Sequence, residues 1–241
     1  MKNKLFYILF SLITTAASAQ QGINYGGGTS TKLDYTLLNL SDGDSQIKGS
    51  KYLTDNFIRA QISGYNDKVF AIRYDVFNDQ MEFQGGDNQI YVINKDNIFR
   101  EILFLDSKDT YRIFDYIGNE GGIKSGYFSI LYSLGGYTIL KKNRVVFIDK
   151  KESSTGYDAP RPATYKKTKD RHYLIFDDAP AVLIDTNKKR FSSIFSGKEK
   201  EVLSFIKKNK INLSNDLDLI ELVRFLNSNN FLKSLQFSKL I

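Results

Sequence analysis

The chain of 241 residues contains no cysteine, no tryptophan, one histidine and three prolines. Without cysteine there is no disulfide framework, no thiol nucleophile, no cysteine zinc site and no lipid-attachment cysteine. With His172 as the single imidazole, a zinc site would have to be built from carboxylates, and no HExxH helix occurs. The prolines are confined to Pro160, Pro162 and Pro180, and 41% of the residues are hydrophobic. Compositional disorder is therefore not expected outside that window. Beyond the first twenty residues no apolar run is long enough to cross a bilayer, so no transmembrane segment is expected in the mature chain.

The first nineteen residues read as an address. Lys2 and Lys4 give a basic start, Leu5 to Ile13 an apolar core, and Ala17-Ser18-Ala19 a small-residue cleavage site. This is the pattern of a secretory signal peptide. Residues 20–30 are expected to form a flexible tail. The formal charge of +7 falls by two to +5 once Lys2 and Lys4 leave. That excess permits contact with an anionic surface without requiring one.

From residue 31 to about 150 the hydrophobic period is two. Phe70, Ile72, Tyr74 and Val76 alternate with Ala71, Arg73 and Asp75. Asn78-Asp79 supplies a turn, and Met81 and Phe83 resume the apolar face. Similar short runs lie on either side, with turn signals about every 8 to 12 residues. They include a strand read continuously from Tyr137 to Ile148. Residues 150–171, rich in lysine and arginine, read as an exposed basic loop. His172 to Phe176 and Ala181 to Ile184 read as one more hairpin. At Ser196 the period changes. Ser196 and Glu199 fit a capping box, Val202, Phe205 and Ile206 a helical face, and Leu219, Leu222, Val223 and Leu226 a second stripe. The expected fold is α+β: an antiparallel β-meander over 31–190, a curved sheet or barrel, with a C-terminal helical pair in 191–241 packed on it.

Each candidate for chemistry has a structural alternative. A catalytic His172 needs an orienting carboxylate, with Asp170, Asp177 and Asp178 nearest in sequence, and a nucleophile; no Gly-x-Ser-x-Gly elbow occurs. Asp42-Gly43-Asp44 opens like a calcium loop but meets Ile47 and Leu53 where glycine and glutamate belong, so it reads as a turn. Gly26-Gly27-Gly28 lacks the lysine and hydroxyl of a phosphate loop. Asp75, Asp79 and Glu82 flank one hairpin. As a glycosidase pair Asp75 and Glu82 would need a cleft and a separation of about 5 to 10 Å; otherwise these carboxylates are outward charges. No metal or cofactor is implied.

Tyr157, Arg161, Lys166 and Lys167 form the candidate interaction patch, cations interleaved with aromatic rings. With export, no nucleic-acid partner is expected. An envelope or outer-membrane protein complex is the expected one, with anionic lipid or lipopolysaccharide phosphate as a further possibility.

Three stretches carry a family resemblance: Arg73-Tyr74-Asp75-Val76-Phe77-Asn78-Asp79-Gln80-Met81-Glu82-Phe83, Thr155-Gly156-Tyr157-Asp158-Ala159, and the closing helices. With these the chain resembles a group of uncharacterised exported proteins of Bacteroidota. The resemblance implies a Gram-negative envelope setting and transfers no activity. The helical reading of residues 196–241 leaves no surface-sorting domain there, which favours the periplasm or the periplasmic face of the outer membrane. The leading expectation is a non-enzymatic envelope protein that binds another protein. A lipid- or glycan-binding β-protein and a hydrolase using His172 or the carboxylate pair are the alternatives.

Overall fold

The computed structural model describes residues 33, 35–38, 47–65, 68–95, 101–118, 120–152, 159–229 and 231. The chain divides into two units, 1–33 and 34–241, and every described residue except Leu33 belongs to the second. The signal peptide, the tail, Asp42-Gly43-Asp44 and Tyr157 lie outside the described residues.

The core of the molecule is two antiparallel meanders sharing one sheet. The first comprises β2 (Ile58–Ile62), β3 (Phe70–Asp75), β4 (Gln80–Gln84) and β5 (Ile90–Ile93), with β1 (Tyr35–Leu37) returning to pair with β5. The second comprises β6 (Ile102–Phe104), β7 (Thr110–Ile117), β8 (Ile123–Leu134) and β9 (Tyr137–Lys142). It is completed by β12 (Arg171–Phe176) and β13 (Val182–Leu183). Pairing of β2 with β6 joins the halves into eleven strands ordered β1-β5-β4-β3-β2-β6-β7-β8-β9-β12-β13. The sheet is curved and does not close. Near its far edge, Ala181 hydrogen-bonds the β7 backbone at Asp115 and Ile117, bringing that edge back toward the sheet.

Curvature brings the apolar face into contact with itself. Tyr74 of β3 meets Tyr111 of β7 at 5.4 Å and Tyr127 of β8 at 6.1 Å between ring centroids. The hairpin register explains why these rings point inward: Tyr74 lies opposite Met81 and Ile72 opposite Phe83, as the alternation requires. A second cluster, Phe114, Phe128, Leu140, Tyr173, Ile175 and Ala181, fills the space bounded by β7, β8, β9 and β12. The interior is occupied by side chains.

β9 and β12 bury both faces. Leu140, Tyr173 and Ile175 face that second cluster, while Ile139, Leu174 and Phe176 face the helices. This is why Tyr173 to Phe176 is an unbroken apolar run instead of an alternating one. Among the described residues there are three helices, not two: α1 (Lys188–Ser192), α2 (Glu199–Lys208) and α3 (Asp216–Ser228). The short α1 precedes the expected pair and buries Phe191. Val202, Ile206, Leu219, Leu222, Val223 and Leu226 are buried as the stripes predict. The Ser196–Glu199 capping box does not form. The N-cap of α2 is Lys198, which makes no side-chain cap bond, because the turn before it runs through Gly197 at φ +75°. At α3 the N-cap is Asn215, whose side chain accepts from Leu217 N and Asp218 N.

Two further expectations are corrected. The strand read from Tyr137 to Ile148 breaks at Asn143-Arg144, where Asn143 accepts from Tyr111 Oη and donates to Asp170. Its second half, β10 (Val145–Ile148), leaves the large sheet. It pairs with β11 (Thr164–Lys167), so part of the expected basic loop is a two-stranded ribbon.

Candidate functional site

The carboxylates of the β3–β4 hairpin are not outward charges. Asp75 and Glu82 are 1% and 0% exposed because residues 51–57 lie over them. Asp75 pairs with Lys51 at 3.1 Å and accepts from Asn78. Glu82 Oε2 accepts from Arg73 Nε at 2.8 Å, and the guanidinium lies between the Tyr52 and Phe57 rings. Each carboxylate has its own cation, which makes them two buried ion pairs and leaves no cleft between them for a sugar.

His172 is 7% exposed, and its Nε2 lies 2.7 Å from Asp216 Oδ1. Lys141 Nζ reaches the other oxygen of Asp216 at 3.0 Å. The orienting carboxylate is thus on α3, not at Asp170, Asp177 or Asp178. Burial raises the Asp216 pKa, but hydrogen bonds from Lys141 and His172 outweigh it and hold the carboxyl below the ordinary aspartate value. The trio ties the first turn of α3 to β9 and β12, where an acidic side chain also suits the helix dipole.

The expected interaction patch is divided. Lys166 and Lys167 are neighbours on β11 and so lie on opposite faces, and Lys167 donates to Leu53 O at 2.8 Å. The ribbon pairing ends at Ile148–Thr164, and the isolated Lys151–Arg161 bridge beyond it keeps the same register as Phe147–Tyr165. That register therefore puts Arg161 and Lys151 on the face of Phe147 and Tyr165, and Lys166 on that of Ile148.

That first face carries a ridge that sequence reading missed. Phe77, just after β3, meets Tyr165 at 5.2 Å and Phe147 at 6.3 Å, and Phe147 meets Tyr165 at 5.1 Å. Phe77 and Phe147 are still 42% and 37% exposed. The sequence carries the strand to Phe77, but β3 ends at Asp75 and Phe77 lies in the turn, where its ring joins this face.

A separate cleft of about 260 Å³ lies where β8 and β9 diverge. Tyr116, Gly118, Glu120, Lys124, Lys142, Arg144, Arg171 and Tyr173 line it. Its wall is the Tyr116–Phe128–Tyr173 ring cluster, with centroids 5.1 to 5.6 Å apart. Lys142 Nζ lies 4.5 Å from the Phe128 ring centroid and bonds Asp79 Oδ1 and Tyr127 O, each at 3.1 Å. A Cβ at Gly126 would stand 2.6 Å from both Lys142 Nζ and Asp79 Oδ2, so a side chain there would displace this ion pair. A larger cleft of about 480 Å³ carries mixed charge from Arg112, Asp115, Asp177 and Asp178. There Arg112 is already paired with Glu101. Among the described residues no group of three or more acidic or histidine side chains converges as a metal site would require. No helix there is long and apolar enough to cross a membrane.

Compared with known proteins, the chain matches no family model, no curated protein and no solved structure.

Proposed function

We propose that the chain is a non-catalytic, exported component of the cell envelope. It binds another protein through the ribbon face that carries Phe77, Phe147 and Tyr165. The observation that carries this reading is the exposed aromatic ridge, with Arg161 and Lys151 further along the same face. Aromatic and arginine side chains are the residue types that dominate binding energy at protein interfaces. The partner surface this chemistry fits is apolar at its centre and acidic at one side. The signal-like first nineteen residues support placing that partner at the periplasmic side of the outer membrane.

The test is purification of the C-terminally tagged chain, at native expression level, from gently solubilised envelopes of the native bacterium. One complex recovered at fixed stoichiometry, and lost with Phe147→Asp plus Arg161→Glu, is the expected result. Recovery of the wild type alone as a monomer would overturn the reading.

A further inference from the structure

The cleft at the β8–β9 divergence is independent of the ribbon face and has its own chemistry. Four cations, Lys124, Lys142, Arg144 and Arg171, face one acid, Glu120, across it. Asp79, held between Lys142 and Lys95 at 3.1 and 2.8 Å, offsets much of the Lys142 charge, so the uncompensated positive charge of the cleft is that of Lys124 and Arg144. Neither Lys124 nor Arg144 forms an ion pair among the described residues. Two arginines with planar forks suit an oxyanion bound by paired hydrogen bonds. Burial is the largest influence on Lys142 and keeps its pKa below the ordinary lysine value despite Asp79, so further negative charge nearby is favourable.

The remainder of the wall is aromatic, and the volume is small. Tyr116, half-buried, offers ring surface beside the cations and is backed by the buried Tyr173. About 260 Å³ falls just under the range of roughly 300–1,000 Å³ for drug-sized ligands. One compact ring with its charged substituent matches that space. A nucleotide or an acyl chain does not. A phosphate monoester, carrying about −1.5 to −2 charges at neutral pH, matches the cationic excess better than a single carboxylate.

We infer that this cleft binds a phosphate monoester borne on a compact ring such as a sugar, with Arg144, Arg171 and Lys124 taking the phosphate and Tyr116 the ring. The same headgroup chemistry is found on a free sugar phosphate and at a phosphorylated lipid surface.

The experiment is calorimetric titration of the mature chain at low salt with glucose 1-phosphate, glucose and inorganic phosphate. Flotation with phosphatidylinositol vesicles, with and without phosphatidylinositol 4-phosphate, runs in parallel. The variant is Lys124→Gln with Arg144→Gln, two side chains without an ion pair among the described residues. Its melting temperature reports retention of the fold. Saturable binding of glucose 1-phosphate, tighter than either fragment and weakened about 10- to 100-fold in the variant, supports the site with a free ligand. Flotation only with phosphatidylinositol 4-phosphate, lost in the variant, supports the same site with a membrane source. Binding of neither probe, equal affinity for inorganic phosphate, or binding undiminished in a folded variant overturns it. Substitutions at Phe147 and Arg161 leave these titrations unchanged, which separates this site from the ribbon face.

Discussion

Lys142 Nζ lies 3.1 Å from Asp79 Oδ1, although 63 residues separate the two in the chain. The contact joins the β3–β4 turn to the end of β9, across the curve of the sheet. Asp79 also accepts from Tyr74 Oη at 2.6 Å, Lys95 at 2.8 Å and Tyr127 N at 3.2 Å. A turn residue has become the centre of a polar cluster that fixes how tightly the sheet coils.

Asp79→Asn isolates the charge, because asparagine tolerates the φ of +55° that the turn demands. The expected loss is about 2–3 kcal/mol, below the ~3–5 kcal/mol of a fully buried pair because both side chains keep some exposure. Urea denaturation reads it. An unshifted midpoint would mean the coil is held by the apolar face alone.

Glu82→Gln leaves the Arg73 guanidinium enclosed by Tyr52 and Phe57 without its counter-charge. We expect destabilisation of about 3–5 kcal/mol. The double variant Arg73→Met/Glu82→Leu recovers most of it, since removing both charges removes both desolvation costs. A double-mutant cycle with no coupling would refute this account of the hairpin's covered face.

Asp216 makes the helix attachment sensitive to acid. Its folded pKa lies below the ordinary aspartate value, so the unfolded chain binds the proton first as pH falls. The stability it contributes is complete above about pH 5 and drains away as pH drops through about 4 toward the folded value. Thermal melts of wild type and Asp216→Asn should therefore converge on acidification through that window. The effect is small, because the side chain is 41% exposed and solvent screens it. A gap between the two melts that widens on acidification would contradict the sign.

Leu222→Ala removes a side chain that is 1% exposed in the layer between α3 and the sheet. The cost expected is about 2–5 kcal/mol, because the rings of Phe176, Phe191 and Phe195 already fill the layer and leave little room for collapse. Chemical denaturation measures it. A loss under about 1 kcal/mol would mean the helices pack loosely on β9 and β12.

Local periodicity was enough to place much of the fold. The β3–β4 hairpin, the β12–β13 hairpin and the α2 and α3 stripes all follow from side chains within a few residues of one another. The strand break at Asn143-Arg144 did not, because two polar residues at the end of an apolar run suit a strand or a turn equally. Their partners Tyr111 and Asp170 settle the matter from 32 and 27 residues away.

The candidate sites depended still more on distance. Composition excluded thiol chemistry and a disulfide scaffold outright, since those need an atom the chain does not contain. Whether a given charge is exposed or enclosed could not be read in the same way. Alternation assigned Asp75 and Glu82 to the face away from the core, and that assignment is right. What covers that face is the stretch 51–57, which a period-two reading of the hairpin does not include. The cleft likewise draws its cations from β8, the end of β9 and the start of β12. Neighbours in sequence set each side chain's direction; burial and charge pairing are sums over neighbours in space, and the coiling of the sheet alone brings those together.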